Sequence, residues 1–178
     1  MNNYNLFYKE FAPFLSTLKE TSFDDFHNVY LCKDTSQAVF NFDAFIRSRY
    51  PDGTIRPKSF DALLFYEKFV FCIEFKNEEP IKIDIHELKG KIKEGKEELV
   101  KLFTQLNIEK RDYNFIYCIV YKDCKTSFEN YRYRVQKCAV EFSLEELKEN
   151  AFVKEVSINS LTFFTKEFQK LLKKELKC

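Results

Sequence analysis

The chain has 178 residues, 45% hydrophobic, 17% aromatic and 32% charged, with a formal net charge of +1. That length and apolar content supply one sizeable core, so a single domain spanning 1–178 is expected. No run nears the roughly 20 apolar residues of a membrane span, the start Met1-Asn2-Asn3-Tyr4-Asn5 lacks the regions of a secretory leader, and the charge lacks the strong basic excess common in proteins that grip phosphate backbones; a cytoplasmic protein is the expectation.

Tyr4, Phe7, Phe11, Phe14 and Leu18 recur at helical spacing, which predicts an opening amphipathic helix interrupted near Pro13. Val39 to Ile46 alternates as a strand and leads to a turn at Pro51-Asp52-Gly53. Next, two apolar runs flank Glu67-Lys68, the pattern of a β-hairpin. Beyond Pro80, Asp84 and Glu87 form a capping box for a helix whose buried stripe is Leu88, Ile92, Leu99, Leu102, Phe103 and Leu106. Asn114 to Lys122 and Arg134 to Phe142, rich in β-branched and aromatic residues, are expected to be strands. Ser143 with Glu146 caps a short helix, Phe152 to Ile158 gives a further strand, and Asn159 to Leu176 a terminal helix with Leu161, Phe164, Phe168 and Leu171 facing inward. This order belongs to the α/β class.

The cysteines Cys32, Cys72, Cys118, Cys124, Cys138 and Cys178 contain no Cys-x-x-Cys pair, and only His27 and His86 add imidazole. Neither a zinc site nor a disulfide is expected. Cys72, Cys118 and Cys138 fall in apolar strand-like runs, where reduced cysteine behaves as a small hydrophobe.

The hairpin carries charges that packing does not require. If its turn is symmetric about Glu67-Lys68, Tyr66 faces Phe69, Asp61 faces Glu74 and Ser59 faces Lys76. Opposed Cβ atoms lie about 4.5–5.5 Å apart, so two carboxylates so placed repel unless a cation sits between them. Mg²⁺ suits that position, taking one or two carboxylates and completing its shell with water and phosphate oxygens. Side chains alternate along a strand, so Glu74 and Lys76 share a face, and Lys76 is placed to orient or deprotonate an attacking water or to offset transition-state charge. The run Phe69-Val70-Phe71-Cys72-Ile73 is too continuously apolar for a solvated edge and suggests a central strand.

Asp61, the apolar strand ending in Glu74-Phe75-Lys76, and the amphipathic helix that follows resemble the PD-(D/E)XK nuclease superfamily over roughly residues 40–125. The Pro of that pattern is displaced to Pro57. The resemblance implies a restriction-endonuclease-like fold, a central mixed β-sheet flanked by helices, with metal-dependent hydrolysis of phosphodiesters. Asp61 and Glu74 would then bind Mg²⁺ or Mn²⁺, with Lys76 assisting the attack of water. An additional acid, which some members supply from the first helix, is sought in Glu10 or Glu20, and Asp43 is a further candidate if the first strand lies beside the hairpin. Arg47, Arg49, Arg56 and Lys58, just before the site, are candidate contacts to nucleic acid, DNA foremost. Lys89, Lys93 and Lys96 share a helical face, though interleaved with Glu94, Glu97 and Glu98, and Tyr131-Arg132-Tyr133-Arg134 offers planes for base stacking. Cleavage of both strands with one site per chain implies a homodimer. The alternative is a catalytically inactive module of the same fold that binds nucleic acid or a protein.

Overall fold

The computed structural model describes residues 3–51, 54–124, 126–147 and 153–178. Helix α1 (Asn3–Phe11) ends at a 3-10 turn carrying Pro13, earlier than the apolar spacing predicts, and strand β1 (Leu15–Thr17) and the short helix α2 (Leu18–Thr21) follow. Proline removes an N–H and obstructs the preceding turn, so the helical stripe is broken into separate elements. A small hairpin of β2 (Phe23–Asp24) and β3 (Val29–Tyr30) leads to β4 (Ala38–Asn41) and α3 (Phe42–Arg49). The strand expected from Val39 to Ile46 is therefore half helix. Asn41 makes the switch, since its side chain accepts the Ala44 N–H at 2.8 Å and caps the helix.

Strands β5 (Ala62–Tyr66) and β6 (Phe69–Lys76) form the expected hairpin, with Tyr66 opposite Phe69 and Ala62 opposite Ile73. Glu67 takes the left-handed backbone, φ 51°, that such a tight turn needs. Helix α4 (Ile85–Gln105) starts at Asp84, whose carboxylate accepts the Glu87 N–H at 3.0 Å. After β7 (Asn114–Tyr121) comes α5 (Ser127–Leu144), which corrects the strand expected over 134–142. Its start is fixed by a capping box of Thr126 and Glu129, while Ser143 lies inside it. The chain continues with β8 (Val153–Ser160) and α6 (Leu161–Leu172), which Ser160 caps. Asp52, Gly53, Phe152 and the side chains of Tyr4 and Glu146 lie outside the described residues.

These elements make an α/β architecture, a mixed sheet of six strands in the order β1-β4-β5-β6-β7-β8, antiparallel from β1 to β6 and parallel from β6 to β8. The parallel pairs are joined by α4 and α5, the connections such pairs require. Both faces of the central strands are covered. Leu63, Phe65, Val70 and Cys72 pack with α1, α3, α4 and α5 on one face, and Ala62, Leu64, Phe71 and Ile73 pack with α6 on the other. That explains the unbroken apolar run in β6. Phenylalanine fills the larger core, with Phe7 against Phe65 and Phe103, each at 4.6 Å between ring centroids. Cys72 and Cys118 are buried in strands as expected, whereas Cys138 is exposed on α5.

Cys32 and Cys178 form a disulfide across 146 residues, against the expectation of reduced thiols. The contact is tertiary, so no local spacing announces it. Asp34 reinforces it by accepting the Lys177 N–H at 2.8 Å and the Gln37 N–H at 2.7 Å. Burial opposes ionisation of Asp34, but these hydrogen bonds outweigh it and hold the carboxyl below its ordinary range. Among the described residues, no helix is long and apolar enough to cross a membrane.

Gly95 of α4 meets Phe60 so closely that an added Cβ would lie 2.8 Å from its ring. That ring stacks on Phe42 at 4.4 Å and meets Tyr117 edge-on at 5.7 Å, so it has little room to retreat. Gly95→Ala is expected to destabilise the protein by about 1–3 kcal/mol through overpacking, despite the roughly 1 kcal/mol by which Ala favours a helix. A thermal scan checks this, and a higher Tm would show that Phe60 can yield.

Candidate active site

Alternation along β6 puts Glu74 and Lys76 on the face of Val70 and Cys72, toward α4, and Asp61 continues the parity of Leu63 and Phe65 onto that same face. Asp61 lies one residue beyond the last paired position, and its backbone is pinned from both sides. Its N–H donates to Ile73 O at 3.0 Å, and its carbonyl accepts the Phe42 N–H at 3.1 Å. Its side chain ends the ladder, Oδ2 accepting the Phe75 N–H at 2.7 Å.

Glu74 is buried, and two ammonium groups converge on one of its oxygens: Lys91 Nζ at 2.6 Å and Lys76 Nζ at 3.1 Å from Oε1. The second oxygen, Oε2, is buried and has no hydrogen-bond partner. Lys76 also reaches Glu87 Oε1 at 3.0 Å, and Lys91 the same oxygen at 3.6 Å. Glu87 and Lys91 lie one turn apart near the start of α4, so helix and strand exchange charges.

Burial raises the proton affinity of Asp61, and the neighbouring Glu74 adds to it; Lys91, the Phe75 N–H and Lys76 oppose the rise but leave the carboxyl well above its ordinary range. For Lys76 burial works against the charge, yet Glu74 and Glu87 together outweigh it and raise its pKa. Lys91 shows the same balance, with Glu74 and Asp61 prevailing over burial. A lysine held this firmly as an ammonium supplies positive charge and hydrogen bonds at neutral pH. It is poorly suited to deprotonate water.

The residues of the hairpin and α4 open into a cavity of about 380 Å³ that also meets Phe23 to His27 of the β2–β3 hairpin. Its lining holds the carboxyl groups of Asp24, Asp25, Asp61, Glu74 and Glu78 against the ammoniums of Lys76 and Lys91. Such an excess of acid favours a cation over a bare phosphate. Among the described residues, no group of three or more His, Cys, Asp or Glu side chains is arranged to hold a metal ion alone. A two-carboxylate site for Mg²⁺ does not need one, because water and phosphate oxygens complete the shell. The unsatisfied Glu74 Oε2 fits that role.

Adjoining this cavity, and sharing Thr21, Phe23, Asp25 and Asp61 with it, a cleft of about 260 Å³ is lined by Glu20, Asp43 and Arg47. Asp43 sits in the first turn of α3 and accepts hydrogen bonds from Ser59 Oγ and Arg47 Nε, each at 2.7 Å. Glu10 lies elsewhere, on α1, 4.0 Å from Arg49, which also bonds Gln105 at 3.1 Å. Arg56 is exposed. Lys58 lies across Gly90, where an added Cβ would come within 2.9 Å of its Cδ, and with Lys89, Lys93 and Lys96 it borders a cleft of about 610 Å³ along α4. The Tyr131 to Arg134 segment is helical, so its side chains diverge. Tyr133 is buried, Arg132 is ion-paired with Glu79 at 2.7 Å, and Tyr131 and Arg134 are exposed.

Lys91, Glu87 and the β2–β3 hairpin are the parts of the site that sequence reasoning did not single out. Lys91 stands four residues after Glu87 on the helix that follows Lys76, a spacing that could have marked it. The largely apolar cleft of about 450 Å³ between α6 and β6, β7 and β8 shares no lining residue with the site. Compared with protein-family models, with curated proteins and with solved structures, the chain matches none.

Proposed function

We propose that the protein is a metal-dependent nuclease of the PD-(D/E)XK kind, with a restriction-endonuclease-like fold, that hydrolyses phosphodiester bonds in DNA. The single observation that supports this most is the buried, unpartnered Glu74 Oε2 on the face that Asp61 shares, with Lys76 3.1 Å from the other oxygen. Asp61 and Glu74 would hold Mg²⁺ or Mn²⁺. A metal bound there would lower the pKa of a coordinated water and polarise the scissile phosphate. The surroundings of Asp61 raise its affinity for a proton, so a metal bound there would compete with protonation of this carboxyl. Lys76 keeps its ammonium beside Glu74 and offsets charge on the phosphate. Lys91 holds Glu74 in place from the helix side. Arg56 and Lys93 would meet phosphates flanking the cut.

One observation favours a second reading, an inactive binding module. Glu74, Glu87, Lys76 and Lys91 already form a closed ion-pair network without a metal. Incubation with plasmid, linear and single-stranded DNA and with RNA, in Mg²⁺, Mn²⁺ and EDTA, separates the two. Cleavage that EDTA abolishes and Lys76→Ala lowers by at least about 100-fold is expected. A wild-type chain that cuts none of these substrates in either metal overturns the hydrolytic proposal.

A further inference from the structure

Four of the exposed large hydrophobic residues, Phe23, Phe26, Val29 and Tyr30, are concentrated on the small β2–β3 hairpin that walls the acidic cavity. Isolated exposed apolar side chains are ordinary, whereas a cluster beside a charged cleft marks a surface of contact. Phe26, at the tip, is 91% exposed.

The hairpin is held rigidly at both ends. At its base Ser22 is buried, its Oγ donating to Cys32 O at 3.1 Å, and its carbonyl accepts the Leu31 N–H at 3.1 Å. At its tip the Asp24 carboxylate organises the turn. Oδ1 accepts the N–H groups of Phe26 at 3.0 Å and His27 at 3.1 Å, and Oδ2 lies 2.6 Å from His27 Nδ1. Asn77, the residue after Lys76, donates to the same Oδ2 at 3.1 Å and so ties the tip to the end of β6. The Phe26 and His27 rings stand nearly perpendicular with centroids 4.9 Å apart, and the high exposure of Phe26 leaves its ring accessible to a partner. Farther back, Phe23 pairs with Tyr30 at 4.7 Å, and Lys19 lies 4.6 Å over the Tyr30 ring.

An aromatic ring held in water at the rim of a site for phosphate chemistry fits the planar face of a nucleobase. We infer that the β2–β3 hairpin selects nucleic acid with an unpaired base beside the scissile phosphate, stacking that base on Phe26. This rests on the nuclease proposal for the neighbouring carboxylates, but the binding step is measured separately from cleavage. Bases within a duplex have their faces covered by their neighbours, so the ring discriminates in favour of single strands, flaps or bulges.

The test uses the full chain carrying Lys76→Ala in EDTA, so that binding is read without turnover, and labelled DNA of one sequence as a single strand and as a duplex. The single strand is expected to bind more tightly. Phe26→Ala in the same background should weaken single-strand binding about tenfold and bring the ratio of the two affinities close to one, while Phe26→Trp restores the preference. Phe142→Ala, which removes an exposed ring on α5, should leave the ratio unchanged. Phe26 is exposed, and an unchanged Tm confirms that the variants remain folded. A Phe26→Ala chain with the original ratio overturns the inference, as does one that loses affinity for both forms equally. Wild-type protein that fails to cut any substrate yet binds single strands through Phe26 overturns the hydrolytic proposal and leaves the hairpin's role standing.

Discussion

Asp61→Asn and Glu74→Gln are each expected to reduce metal-dependent cleavage by at least about 100-fold, and to move thermal stability in opposite directions. Both remove a carboxylate that would bind the cation. Asparagine at 61 can still accept the Phe75 N–H, now made at 2.7 Å, and it removes a charge that burial and Glu74 disfavour. A carboxyl whose folded pKa is raised imposes no ionisation penalty below its unfolded pKa, and the penalty develops as pH rises from there through the folded value. Asp61→Asn abolishes that penalty, so its Tm in EDTA should equal or exceed that of wild type near neutral pH. Glutamine at 74 takes from Lys91 and Lys76 the buried anion they share, leaving them Glu87 at the helix start, and brings an amide N–H₂ to a buried position where Oε2 has no partner. Its Tm should fall. Thermal scans in EDTA beside cleavage assays in Mg²⁺ check both limbs. Full cleavage by either variant removes that carboxylate from the proposed site, and a lower Tm for Asp61→Asn would contradict the electrostatic account.

How much of this was legible in the sequence depended on whether the deciding interaction was local. The β5–β6 hairpin could be read because two apolar runs meet at a short turn, and every side chain's face follows from that register. Asp61, Glu74 and Lys76 therefore came out on one face before any helix was placed. Helix α4 could be read from its Asp84 cap and apolar period. Helix α5 is disguised in the sequence because Val135, Val140 and Phe142 resemble strand residues, although Thr126 and Glu129 stand at the spacing of a capping box that the structure forms. Val39 to Ile46 reads wholly as a strand because its apolar pattern continues through Asn41, where capping redirects the backbone. The Cys32–Cys178 bond joins distant segments and leaves no local trace. Asp24 likewise depends on Asn77, far away in the sequence and brought to it by the tertiary fold.

Lys91→Met tests whether Glu74 belongs to a cation site or to a permanent ion-pair network. Methionine approximates the lysine stem and removes the ammonium that now lies 2.6 Å from Glu74 Oε1. Breaking one partner from a buried pair commonly costs about 3–5 kcal/mol, because the other charge stays desolvated. Glu74 retains Lys76 at 3.1 Å, so the lower end of that range applies and corresponds to a Tm fall of roughly 6–12 °C in EDTA. If Asp61 and Glu74 bind a divalent ion, Mg²⁺ or Mn²⁺ replaces the missing positive charge and raises the variant's Tm more than that of wild type. Cleavage at saturating metal should then survive in the variant, since Lys91 acts on Glu74 and not on the phosphate. An equal Tm deficit with and without metal would mean that the cation does not reach Glu74, and would favour the inactive module over the nuclease.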